Sequence, residues 1–287
     1  MKTLFTVLLV VSAAFQSVSA ASVADITKLK DIPYGNDPRQ TIDVYKKEGV
    51  TGAPVIFMVH GGAWRIGDKR MGPVIKNKVE RWVPEGFIFI PINYRMLPEA
   101  DPLVQLQDVV KALATAQEKA ESWGGDPSKF IVMGHSAGAH LVGLLAASPS
   151  IALEAGAQKW LGTVLLDTAV LDVPKMMNTR HARFYDAAFG DDPEFWKGAS
   201  PIQNLSAGAG PMYIVCSSRR RTSCSEADAF QKKAAALGVR ASVLKQDMKH
   251  GEINGELGLP GAYTESVEAF MASLDERVNL LLMALKK

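Results

Sequence analysis

Gly134-His135-Ser136-Ala137-Gly138 is the stretch on which the reading of this chain turns. The apolar run 130–133 (Phe-Ile-Val-Met) leads into it, and a run of small, helix-prone residues, 137–147, leads out. That order predicts a strand, a tight turn and a helix, with a serine at the apex. The pattern is G-x-S-x-G, and its reason is steric: the backbone at such a serine is strained, and flanking glycines let strand and helix pass close together. The serine hydroxyl then stands above a sheet, beside a helix N-terminus whose N–H groups favour negative charge. Five common residues also occur in this order by chance, so the pattern takes its meaning from its surroundings.

Upstream, 55–59 reads as a buried strand that runs straight into His60-Gly61-Gly62-Ala63-Trp64. The next strand is 87–93, ending at Tyr94-Arg95 and a Pro98 turn, and 103–123 carries a helical apolar pattern through Leu103, Leu106, Val110 and Leu113. Before these, 40–45 alternates and fits an antiparallel strand, with the rest of 21–53 as a lead-in. Downstream, 161–166 is a strand ending at Asp167, and 212–216 is another. Ser225-Glu226-Ala227-Asp228 opens a helix to about 237. A final strand, 241–244, precedes a loop holding His250 and a closing helix, 264–285. The segment 173–200 is irregular and reads as a small cap-like insertion. Apolar runs alternating with amphipathic stretches predict an α/β fold, a mostly parallel sheet with helices on both faces.

With 287 residues, 47% of them hydrophobic, the chain has material for one large core. The formal net charge of +2 gives no electrostatic case for nucleic acid or an anionic membrane. Arg219-Arg220-Arg221, the one basic cluster, reads as a solvated loop. Residues 1–20 read as a signal peptide: Lys2 supplies the positive region, 4–15 is apolar but short for a membrane span, and Val18-Ser19-Ala20 is a cleavage site. The mature chain, 21–287, is then secreted or periplasmic, with no stable membrane anchoring. Export makes Cys216 and Cys224 an expected disulfide, two free buried thiols being the other reading. Two cysteines without a histidine at ligand spacing make no zinc site.

Acyl transfer by serine needs a nucleophile, a base, an acid to orient the base, and N–H donors for the oxyanion. Ser136 is the candidate nucleophile. His250 is the candidate base, because it follows the last strand, where a base reaches the top of the sheet in the chain order Ser, acid, His. His140 sits on the helix beneath the serine, and His181 in the irregular segment; neither fits that place. Gly62, Ala63 and Ala137 are the candidate oxyanion donors, with His60 bracing its loop. Trp64, Met176, Phe184, Phe189 and Trp196 are candidates to line a pocket or to pack the core and cap.

His60-Gly61-Gly62-Ala63-Trp64, Gly67-Asp68, Tyr94-Arg95-Met96-Leu97-Pro98-Glu99, 134–138 and His250 together resemble the α/β-hydrolase superfamily. The similarity lies with hormone-sensitive-lipase-like, feruloyl-esterase-like and kynurenine formamidase-like serine hydrolases. It implies an eight-stranded sheet in a single domain, no metal, no cofactor, and hydrolysis of small-molecule esters or simple amides. It also implies an acid after the strand 212–216, yet the loop 217–224 holds no carboxylate, and Thr222 occupies the expected slot. Three readings of the acid follow. Asp167 serves from the preceding strand, which is the favoured one; or Glu226 or Asp228 serves from the next helix; or there is none. The leading function is an exported serine carboxylester hydrolase. A formamidase-like amide hydrolase shares its machinery, and a missing acid would suit a weak enzyme or a binding protein on this fold.

Overall fold

The computed structural model of the protein describes residues 26–285; the segment 1–20 read as a signal peptide lies outside them. Strands β1 (Ile26–Pro33), β2 (Thr41–Lys47), β3 (Ala53–Val59), β4 (Ile88–Ile92), β5 (Gly125–His135), β6 (Gly162–Leu166), β7 (Met212–Ser217) and β8 (Ala241–Gln246) form one sheet. Their order is β1-β2-β4-β3-β5-β6-β7-β8. The first two pairings are antiparallel and the other five parallel. The helices are α1 (Gly72–Trp82), α2 (Pro102–Lys119), α3 (Ala137–Ala147), α4 (Ser150–Glu154), α5 (Val173–Met177), α6 (Arg183–Phe189), α7 (Pro193–Gly198), α8 (Ser223–Ala236), α9 (His250–Gly255), α10 (Ala262–Ala272) and α11 (Glu276–Ala284).

Strand pleating divides the core in two. Along β3, Val55, Phe57 and Val59 join the cluster packed under α2, α3 and α8, while Ile56 and Met58 join the one under α1, α10 and α11. All seven residues of β3 are buried, as a central parallel strand covered on both faces requires. Truncating Phe57 to Ala there would cost about 3–5 kcal/mol.

Several elements depart from the sequence reading. The lead-in contains β1, a half-exposed edge strand whose Lys28, Lys30 and Asp31 break the apolar pattern. The irregular segment holds α5, α6 and α7, with Asp172 and Asp192 capping the first and last through their side chains. The closing helix is two, because Asp275 caps a fresh start by accepting from the N–H groups of Arg277 and Val278. Helix α1, not singled out in the sequence reading, buries Val74, Lys78, Val79 and Trp82 at helical spacing, with a lysine in the apolar face.

Lys78 is fully buried, and among the described residues it has no carboxylate partner within ion-pair distance. Its Nζ donates to the carbonyls of Pro73 at 2.9 Å and Asn254 at 2.5 Å, tying α1 to α9. Burial pushes its pKa down to about 7. Between that value and the ordinary 10.5, the unfolded chain binds a proton that the folded chain does not, so stability rises with pH across this window. Lys78→Met removes that slope, and thermal melts of the two proteins compared between pH 7 and 9 show wild type gaining on the variant as pH rises.

Candidate active site

Ser136 ends the β5 turn at φ 54° and ψ −117°, a left-handed conformation that costs about 1–3 kcal/mol in a non-glycine residue. The turn is held by its neighbours: Ser136 N–H donates to Leu166 O at 3.1 Å, and Ser136 O accepts from His140 N–H at 3.0 Å and Ala169 N–H at 3.2 Å. Glycine is required at 138 because a Cβ there would fall 2.3 Å from Val59 O. The same crowding brings β3 and its following loop against the turn. In that loop Gly62 has φ 130°, and a Cβ would meet Ile66 O at 1.8 Å. The N–H groups of Gly62 and Ala63 find no acceptor among the described residues, and both residues line the cavity over Ser136. Ala137 opens α3, where the first N–H groups have no partner within the helix.

His250, expected in a loop, is the first residue of α9. Its Nε2 lies 2.9 Å from Ser136 Oγ and its Nδ1 2.6 Å from Asp167 Oδ2. A carboxylate only accepts, so Nδ1 carries the proton and Nε2 is free to accept from the serine hydroxyl. The imidazole is placed from behind as well: His250 O accepts from His135 Nε2–H at 3.0 Å, with the two rings 4.5 Å apart. Burial and the nearby His250 hold His135 at a pKa of about 3, so it is neutral.

Asp167 follows β6 and is wholly buried, with φ 45°. Its Oδ1 accepts from Ser217 N–H at 2.9 Å and from the Ser223 hydroxyl. Its Oδ2 is shared between His250 and Arg220, whose Nη1 stands 3.1 Å away. Burial alone would raise this carboxyl. The His250 hydrogen bond, the Arg220 charge and the two serine donors outweigh it and hold the pKa at about 2. Glu226 is engaged elsewhere, accepting from Leu171 N–H at 2.8 Å, and Asp228 pairs with Lys245 at the surface. Thr222 precedes α8 as its cap residue and presents no carboxylate.

The basic cluster is therefore more than a solvated loop, since Arg220 also donates to Thr168 O at 3.0 Å and lines the cavity. Sequence reading missed it because a guanidinium on a buried carboxylate leaves no periodic trace; the flanking cysteines were the available signal. They form a disulfide, Cys216–Cys224, with the Cα atoms 5.1 Å apart. It closes the loop that supplies Ser217, Arg220 and Ser223 to Asp167. Cys216→Ser with Cys224→Ser is expected to cost roughly 2–3 kcal/mol. Calorimetry would read this as a fall in Tm of about 5–10 °C.

The cavity over Ser136 and His250 measures about 760 Å³, and its walls include Ile66, Met71, Val74, Phe184 and Tyr185. Of the five residues considered for the pocket, Phe184 lines it. Trp64 instead turns into the core, donating from Nε1 to His140 Nδ1 at 3.2 Å and packing on Phe189. His140 donates its Nε2–H to Ala199 O at 2.7 Å, and burial lowers its pKa to about 4, a structural histidine. Met176 and Phe189 are core residues, and Trp196 bonds to Phe189 O. His181 pairs with Asp186 on the surface.

The BD-FAE family model matches residues 42–226, which spans β2 to the first turn of α8. Esterase LipQ of Mycobacterium tuberculosis is 32% identical over 200 residues, covering 64% of this chain and 47% of that protein. Esterase LipC of the same organism is 30% identical over 202 residues, covering 65% and 49%. The chain thus spans about half the length of these two relatives. A truncated carbohydrate esterase from gut microbiota superposes with a TM-score of 0.75 at 18% identity, over 91% of this chain and 99% of that one. That likeness shows a shared fold. Given the family match over well over half the chain and an elbow serine at the end of β5 in a mostly parallel sheet, the chain belongs to the BD-FAE family, on the α/β-hydrolase fold.

Proposed function

We propose that the protein is an exported serine hydrolase that cleaves carboxylic esters of small or aromatic substrates through an acyl-enzyme. The observation that carries this reading is the unbroken series Ser136 Oγ, His250 and Asp167, at 2.9 and 2.6 Å, opening into one cavity. Ser136 Oγ attacks the ester carbonyl carbon while His250 Nε2 takes its proton. The carbonyl oxygen becomes an oxyanion held by the N–H groups of Gly62, Ala63 and Ala137. As that intermediate collapses, the carbon–oxygen bond to the alcohol breaks and His250 returns the proton to the departing oxygen. Water then attacks the acyl-enzyme with His250 as base, releasing the acid and restoring Ser136. Asp167 holds the imidazole in the tautomer this cycle needs and stabilises it when protonated. The segment 173–200 acts as a small cap, bringing Phe184 and Tyr185 to the cavity.

LipQ and LipC are named as esterases, which supports the reaction type. The composition of 1–20 and the disulfide support export, since disulfides persist in oxidising compartments. The test is hydrolysis of a short-chain p-nitrophenyl ester, with a pre-steady-state burst of nitrophenol, and fluorophosphonate labelling mapped to the peptide bearing Ser136. Burst and label together support the reading. Absence of both would instead favour a binding protein on a hydrolase fold.

A further inference from the structure

The cavity wall holds one polar group that the cycle above does not use. Asn254 is 4% exposed and lines the cavity with Ser136 and His250, and its amide Oδ1 has no partner among the described residues. The cavity residues from the start of α1 are apolar: Met71, its cap residue, Pro73 and Val74. That oxygen is sealed from solvent, and no hydrogen bond is found for the amide Nδ2 among the described residues, so Nδ2 is the amide atom left open to a polar group that enters the cavity. The backbone beneath it is pinned at three points. Lys78 Nζ donates to Asn254 O at 2.5 Å, Asn77 Nδ2 to Gly255 O at 2.6 Å and Tyr263 Oη to Ile253 O at 2.7 Å. The amide is therefore presented from a fixed turn rather than a loose loop.

The place of Asn254 says which half of a substrate meets it. It follows His250 by four residues in α9, one helical turn on, so the two side chains lie on one side of that helix. In the proposed cycle His250 gives its proton to the departing alcohol, so the alcohol occupies the side of the cavity that α9 forms. We propose that Asn254 is a specificity residue that hydrogen-bonds a second hydroxyl on the departing alcohol, so that monoesters of diols and polyols are preferred over alkyl esters. A hydroxyl both donates and accepts, so it satisfies the amide in either orientation of its O and N. This inference rests on the serine hydrolase reading.

The experiment compares kcat/KM for glycerol monobutyrate and propyl butyrate by pH-stat; the acyl group and three-carbon chain are common and only the hydroxyls differ. Wild type should favour the glycerol ester by about 10- to 100-fold. Asn254→Leu should bring the ratio close to unity, whatever it costs both esters in common, while Asn254→Asp, which still accepts, retains the preference. Asn254→Ala serves in place of Leu if melting shows that Leu unfolds α9. A wild-type ratio within about twofold of unity, or a ratio that survives Asn254→Leu, overturns the inference while leaving the hydrolase reading intact. Failure to turn over either ester, with no fluorophosphonate label on Ser136, overturns the hydrolase reading and this inference with it.

Discussion

Asp167→Asn lowers kcat on a short-chain ester on the order of 10⁴-fold, the loss seen when the orienting aspartate of a serine protease is amidated. The cause is the proton on the imidazole. Asp167 Oδ2 accepts from His250 Nδ1–H at 2.6 Å and leaves Nε2 bare for the serine. An asparagine NH₂ at that point donates to Nδ1, moves the ring proton to Nε2 and blocks transfer from Ser136. The fold survives, because the amide oxygen still accepts from Ser217 N–H and the Ser223 hydroxyl. Circular dichroism and Tm close to wild type alongside the collapsed kcat are the expected pair of results, and near-normal turnover would reject Asp167 as the acid. A carboxylate with a pKa of about 2 stays ionised above about pH 3, so loss of activity at milder acidity has another origin. Thr222→Asp brings no gain in turnover, since the Nδ1 it would have to orient is already bonded.

Ser136→Ala is the larger effect, on the order of 10⁶-fold in kcat by comparison with removal of the serine from another triad enzyme. What survives is the contribution of the oxyanion N–H groups and of substrate positioning. The same variant should lose its fluorophosphonate label entirely and keep its Tm within a few degrees, because Ser136 makes its structural hydrogen bonds through its backbone. An unchanged burst in this variant would place the nucleophile elsewhere.

Much of this architecture was legible from residue order. Fully buried strands such as β3 and β6 announce themselves as short apolar runs, and the elbow and the loop at 60–64 follow from glycines at places where backbones must touch. The pairing of Ser136 with His250 follows from chain order, because parallel strands carry their loops to one edge of the sheet. What escaped notice turns on single polar or charged residues. Helix α1 has its helical spacing in Val74, Val79 and Trp82, but Lys78 interrupts the apolar face, where two carbonyls accept from its amino group. Arg220 looked like solvated charge because its partner lies 53 residues away in the chain. Asn254 carried no signal at all, being one polar residue in a short turn. Its meaning comes from the wall it shares with His250.

The strand order β3-β5-β6-β7-β8 has a kinetic consequence. The loop proposed for the oxyanion and the proposed nucleophile, acid and base follow β3, β5, β6 and β8 in turn, so each of these groups waits on a different crossover to dock. Parallel pairings of this kind are entropically slow to close. During refolding from denaturant, helical signal should therefore return before Ser136 becomes reactive. Timed quenching with a fluorophosphonate would then clock the docking of these loops, including the far-separated β3–β5 pairing, rather than the bulk of the chain.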